Sequence, residues 1–119
     1  MASITVNGIP AEGTTLSFGR TGHVNVLTFT HTEEGGGPEF ISVDSMMAYD
    51  VVASIIAQSL RDLNVPNTLI SYDGEGTTIS LTNQSTAGND PLRLSTDASQ
   101  LALVGISSDP SVAGVFVPA

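Results

Sequence analysis

LISYDGEGTTISLTN, Leu69 to Asn83, consists of two alternating apolar and polar runs joined by a glycine-rich turn, the pattern of a β-hairpin. The spacing predicts strands at Thr68 to Tyr72 and Thr77 to Thr82, with Asp73-Gly74-Glu75-Gly76 as the turn. Ile79 and Leu81 fall on one face, and Thr78, Ser80 and Thr82 on the other. The hairpin carries hydroxyls and two acidic residues but no His, Cys or Lys to act as base, ligand or nucleophile.

Immediately upstream lies a strong helix signal. Asp44 or Ser45 is the expected N-cap, and Met47, Ala48, Val51, Val52, Ile55, Ile56, Leu60 and Leu63 recur at helical spacing. The stop is marked as well: Arg61 sits in the last turn, Asn64 suits a left-handed C′, Val65 can pack back on Leu60, and Pro66 blocks extension. A helix laid across a hairpin makes the expected class α+β, a mainly antiparallel sheet with one long helix packed on one face.

Further out, Ser3 to Val6 alternates as a strand and Asn7-Gly8-Ile9-Pro10 reads as a turn. Thr14 to Phe18 is a second short run. In His23 to His31, Val24, Val26 and Thr28 share one face while Asn25, Leu27 and Phe29 share the other, so this strand is expected to be covered on both sides. Glu33 to Pro38 breaks the ladder with three glycines and a proline, and Phe40 to Val43 resumes it. Pro91 to Ser95 is a further strand, Thr96 is expected to cap a brief helical turn running to Leu103, and the tail from Ser107 to Ala119 ends in apolar residues. The expected organisation is a single domain, 1–119, with an N-terminal strand arm at about 1–12 and a C-terminal arm at about 107–119.

The chain has 119 residues, with 12 acidic against 3 basic, giving a net charge of -9. Such a field repels phosphate backbones and anionic lipid, so neither direct nucleic-acid binding nor membrane binding is expected. Cysteine is absent, which excludes disulfides and thiolate metal sites. The first residues, MASITVNGIPAEG, lack a basic segment followed by an apolar one, so the chain is expected to stay where it is made until an assembly carries it.

Candidate chemistry is sparse. His23 and His31 share a strand face about 26 Å apart and cannot hold one metal. Asp73, Glu75 and Asp90 form the best carboxylate group, but their spacing matches no calcium loop. The sequence contains neither a G-x-S-x-G elbow nor a phosphate-binding glycine motif, and no enzyme activity and no cofactor are expected. Phe18, Phe29 and Phe40 are assigned to the core, and the Met46-Met47 pair to helix packing.

SMMAYDVVASIIAQSL, then NVPNTLISYDGEGTTISLTNQSTAGNDPLRL, then LALVGI resemble the flagellin and hook IN module in the order of their parts, over Ser42 to Ile106. In that module a short helix precedes a strand pair and an Ala-Leu-Gly-like stop. The resemblance implies a component of self-assembling exteriors. A short chain of this kind, without the long terminal heptad helices of flagellin, looks more similar to a tailed-phage virion structural protein of the decoration or tail type.

The expected partners are copies of the chain itself and other virion proteins, in a homo-oligomer assembled in the host cytoplasm and residing in the virion. Ile4, Val6, Val112, Val115, Phe116 and Val117 are the expected assembly contacts, because apolar strand-forming ends can add to a neighbour's sheet edge. The alternative is an adhesin-like or carbohydrate-binding surface module using the hydroxyl face of the hairpin and the loop from Asn83 to Asp90. A hydrolase using Asp73 and Asp90 is a third reading.

Overall fold

A computed structural model describes residues 2–20, 22–31, 39–84, 92–104 and 116–117. The strands are β1 (Ala2–Val6), β2 (Thr15–Arg20), β3 (His23–Thr30), β4 (Phe40–Ser42), β5 (Thr68–Ser71), β6 (Thr78–Asn83), β7 (Leu92–Thr96), β8 (Leu101–Val104) and β9 (Phe116–Val117). The helix, α1 (Tyr49–Asp62), lies between β4 and β5. The class is α+β, as the hairpin and helix signals predict.

The strands form two sheets. One has four strands in the order β5-β6-β1-β8, and the other five in the order β4-β3-β2-β7-β9. All pairs in the first are antiparallel, whereas β3 with β4 and β7 with β9 are parallel, so the second sheet is mixed.

β5 and β6 form the expected hairpin, with Leu69 opposite Thr82, Ile70 opposite Leu81 and Ser71 opposite Ser80. Its turn is built as the residue types demand: Gly74 adopts φ +87°, and the Asp73 carboxylate accepts the Glu75 N–H at 3.0 Å.

β1 pairs with β6 on one side and with β8 on the other. The expected N-terminal arm is therefore an interior strand. Ile4 lies opposite both Ile79 and Leu103, Val6 opposite Leu101, and both side chains are buried. The same ladder replaces the helical turn expected up to Leu103. Thr96 does bond the Ala98 N–H at 3.0 Å, but the chain then extends, because Leu101 and Leu103 alternate in register with Val6 and Ile4.

The helix has 14 residues and begins later than its cap signal suggests. Asp44 spends its carboxylate on the Met46 N–H at 2.9 Å and its carbonyl on the Met47 N–H at 3.0 Å, closing a separate turn. Ala48, extended at ψ 150°, is the N-cap and provides no side-chain bond. Met46 thus stands outside the helix and is almost wholly exposed. The helix end follows the reading: Leu63 is the C-cap, Asn64 takes φ 53°, and Val65 packs half-buried against the core.

Val52, Ala53, Ile56, Ala57 and Leu60 form the buried stripe of α1, which lies against β1, β4, β5 and β6. They join Ile4, Leu16, Phe18, Leu27, Phe29, Ile41, Ile79, Leu81 and Leu92 in one buried cluster. Fully burying each such large apolar side chain contributes about 1.5–3 kcal/mol.

Arg20 ties the parts together. The residue is only 8% exposed, and its guanidinium donates to the Pro66 carbonyl from Nε at 3.0 Å and to the Asn67 carbonyl from Nη2 at 2.9 Å. A residue of the five-stranded sheet thereby holds the turn that carries α1 into β5. Gly19, next to it, lets the β2–β3 hairpin close: a Cβ there would sit 2.4 Å from the His23 carbonyl oxygen.

Candidate assembly surface

Register sorts the exposed side chains into faces. In the five-stranded sheet Thr28 pairs with Phe40 and Thr15, Val26 with Ser17, and Val24 with Gly19. Leu27, Phe29 and Ile41 point to the buried side, so Val24, Val26, Thr28 and Phe40 lie on the outer one. Val24 is 42% exposed, Val26 50% and Phe40 36%.

Two expectations change here. Among the described residues β3 is covered on one face only, and Phe40 belongs to the surface rather than to the core. The alternation fixes which residues share a face but cannot tell which face the rest of the chain will cover.

The outer face of the four-stranded sheet is different in kind. Ser3 pairs with Ser80, Thr5 with Thr78, Ser71 with Ser80 and Leu69 with Thr82, so hydroxyls recur across three strands with Leu69 as the one apolar interruption among these residues. Thr5 and Thr78 hydrogen-bond through their hydroxyls at 3.1 Å. No charged side chain occurs among these residues.

Of the expected assembly contacts, Ile4 and Val6 are interior and present nothing to a partner. That corrects their assignment: β1 has sheet neighbours on both edges, which leaves its apolar side chains facing the core. Phe116 and Val117 lie in β9, opposite Leu92 and Arg93 of the chain's own β7. Val112, Val115 and Asp90 fall outside the described residues.

The two histidines do separate things. His31 Nε2 lies 2.7 Å from the Pro10 carbonyl oxygen, and the His31 N–H donates to Glu12 Oε1 at 3.2 Å. His23 closes the β2–β3 hairpin opposite Arg20 and is exposed. Among the described residues no three His, Asp or Glu side chains gather as a metal group, and no helix is long and apolar enough to cross a membrane.

Tyr72 links the hairpin turn to the helix. Its hydroxyl lies 2.8 Å from both the Asp50 and the Gly76 carbonyl oxygens. Partial burial, followed by the negative charges of Asp50 and Asp73, raises its pKa above the usual phenol value. An acid held neutral in the folded state stabilises below its unfolded pKa, and that contribution is lost as pH rises through the folded pKa. Tyr72→Phe should therefore be less stable than wild type at neutral pH, with the gap closing above a pH of about 10. Urea denaturation of both proteins across pH 7 to 11 measures it, and a gap that is constant or widens on the alkaline side contradicts this account.

Compared with protein-family models, curated proteins and solved structures, the chain matches none.

Proposed function

We propose that the chain is a non-enzymatic structural subunit of a virion, a capsid decoration (cement) or tail protein that works by self-assembly and lattice binding. The observation that carries this reading is the uncovered outer face on which Val24, Val26 and Phe40 are grouped, where the four-stranded sheet exposes a single large apolar side chain, Leu69, among the described residues. Apolar side chains grouped on one strand and its neighbour mark a surface that a partner covers. The likeness of Ser42 to Ile106 to the hook-type module supports the same class. In this reading the helix covers one face of the four-stranded sheet, and the outer face of the other sheet makes the lattice contact.

The contact has thus moved from the termini to β3 and β4. Its test is the oligomeric state. Val26→Glu sits on an exposed position and should change folding stability by no more than about 0.5 kcal/mol. Wild type should sediment as an oligomer, and the variant as a monomer with an unchanged melt. A wild-type protein that is monomeric at every concentration and leaves capsids and tails undecorated would sink the proposal.

The uncharged hydroxyl face of the four-stranded sheet favours a second reading, a carbohydrate-contacting surface module. Ser3, Thr5, Thr78, Ser80 and Thr82 present donors and acceptors at the regular spacing of paired strands. Binding on a glycan array that is lost in Thr78→Val supports it, and a silent array removes it.

A further inference from the structure

Strand β5 is an edge of the four-stranded sheet, and its outward backbone groups can be assigned. The Gln84 N–H donates to the Asn67 carbonyl at 2.7 Å, so by antiparallel alternation Leu69 and Ser71 bond toward β6 while Thr68 and Ile70 direct their N–H and C=O groups outward. Among the described residues one side chain bonds to that edge: Arg61, from the last turn of α1, donates from Nη2 to the Ile70 carbonyl at 3.3 Å.

Two open depressions meet at this contact. One of about 390 Å³ runs toward Leu60, Val65 and Thr68, and one of about 490 Å³ runs toward Tyr72 and Thr78; Arg61 and Ile70 line both. Together they follow the length of the edge. Leu69, on the outward face, is 46% exposed beside them.

Among the described residues the depression toward Val65 and Thr68 is lined by one charged side chain, Arg61, whereas Asp73 joins Arg61 in the one toward Tyr72, so a carboxylate is favoured at the Val65 end. In a chain of net charge -9 Arg61 makes no ion pair with any described residue, and one of its five N–H donors is engaged by the Ile70 carbonyl. A guanidinium beside an open edge recognises a carboxylate by paired charge-assisted hydrogen bonds. The backbone groups of Thr68 and Ile70 recognise an extended strand.

We propose that the groove between β5 and the end of α1 is a strand-addition site for an extended segment of another protein that carries an Asp or Glu side chain. The incoming strand bonds to Thr68 and Ile70, and its carboxylate takes Arg61 off the Ile70 carbonyl. In the unbound protein the Arg61 hydrogen bond occupies the edge and keeps copies from pairing there. This inference does not rest on the virion reading, since it uses a different sheet and a different kind of contact.

The test is an amide NMR titration of the full chain at about 0.15 M salt, where long-range repulsion between acidic partners is screened. The probes are acetyl-Val-Thr-Asp-Val-Thr-amide and its Asn and Lys counterparts. The Asp peptide should shift the amides of Thr68 and Ile70, and the Asn peptide should bind about three-fold or more weakly. In Arg61→Gln, a shorter, uncharged change at an exposed position, the two peptides should bind alike with the rest of the spectrum retained. Equal binding of the Asp and Lys peptides to wild type, shifts confined to Val24 and Val26, or no shift at all would overturn the site. Concentration-dependent shifts of Thr68 and Ile70 without peptide would also overturn it, by making a second copy the occupant.

Discussion

Ile4→Asp should unfold the protein, not merely separate its copies. The side chain is fully buried in the central strand β1, with Ile79 opposite on one side and Leu103 on the other. A carboxylate there either stays ionised in an apolar surround or takes up a proton at neutral pH, and both are costly. The loss should be at least about 4 kcal/mol, a large part of the roughly 5–15 kcal/mol that holds a domain together. Far-UV circular dichroism should show no cooperative melt at 25 °C and above. Ile4→Ala, which leaves only a cavity, should keep a melt and lose about 2–5 kcal/mol. If Ile4→Asp melts as wild type does and loses only its oligomer, Ile4 is a surface contact and the strand assignment is wrong.

The reason Ile4 reads as an arm in the sequence is also the reason it is not one. Ser3 to Val6 is a short alternating run near one end of the sequence, and local pattern does not say whether a strand lies at an edge or between two neighbours. Its second neighbour, β8, comes from Leu101–Val104, about a hundred positions away, in a segment whose Thr96 signal favours a turn. Long-range pairing overrode that local preference. By contrast the hairpin and the helix stop were legible because each is decided within a few residues. Asp73 and Gly74 make their turn alone, and Asn64 reaches φ 53° for reasons of its own side chain.

The helix start lies between these cases. Asp44, expected as the N-cap, is not the cap: its carboxylate bonds the Met46 N–H in a turn before the helix, and Ala48 holds the cap position. The candidate surface was hidden for a related reason. Val24 and Val26 have the same composition and spacing as residues of a two-sided buried strand, and only the three-dimensional placement of β4 and α1 leaves them uncovered. Arg20 shows the converse. It is one of 3 basic residues against 12 acidic ones, and nothing local to it in the sequence marks its task, which is to hold the Pro66 and Asn67 carbonyls at the corner between α1 and β5.

That corner leads to the second large effect, since Phe18 lies two residues from Arg20 on the same face of β2. Phe18 is fully buried, opposite Asn25 of β3 and Leu94 of β7, and it forms the floor of the depression beside Leu60. Phe18→Ala should cost about 3–5 kcal/mol, the transfer of the ring plus the cavity it leaves. Because the site borders an open depression, the void joins solvent and water can enter, so the rigid sheet on both sides gains little by collapsing. Ile56→Ala, enclosed within the helix stripe, should fall in the lower range of about 2–5 kcal/mol with no such opening. Urea denaturation distinguishes them: both variants should lower the midpoint, and an m-value equal to that of wild type shows that the loss is in folded-state packing. A loss below about 1 kcal/mol for Phe18→Ala would place the ring outside the core and break the link between the two sheets and the helix on which the groove at β5 depends.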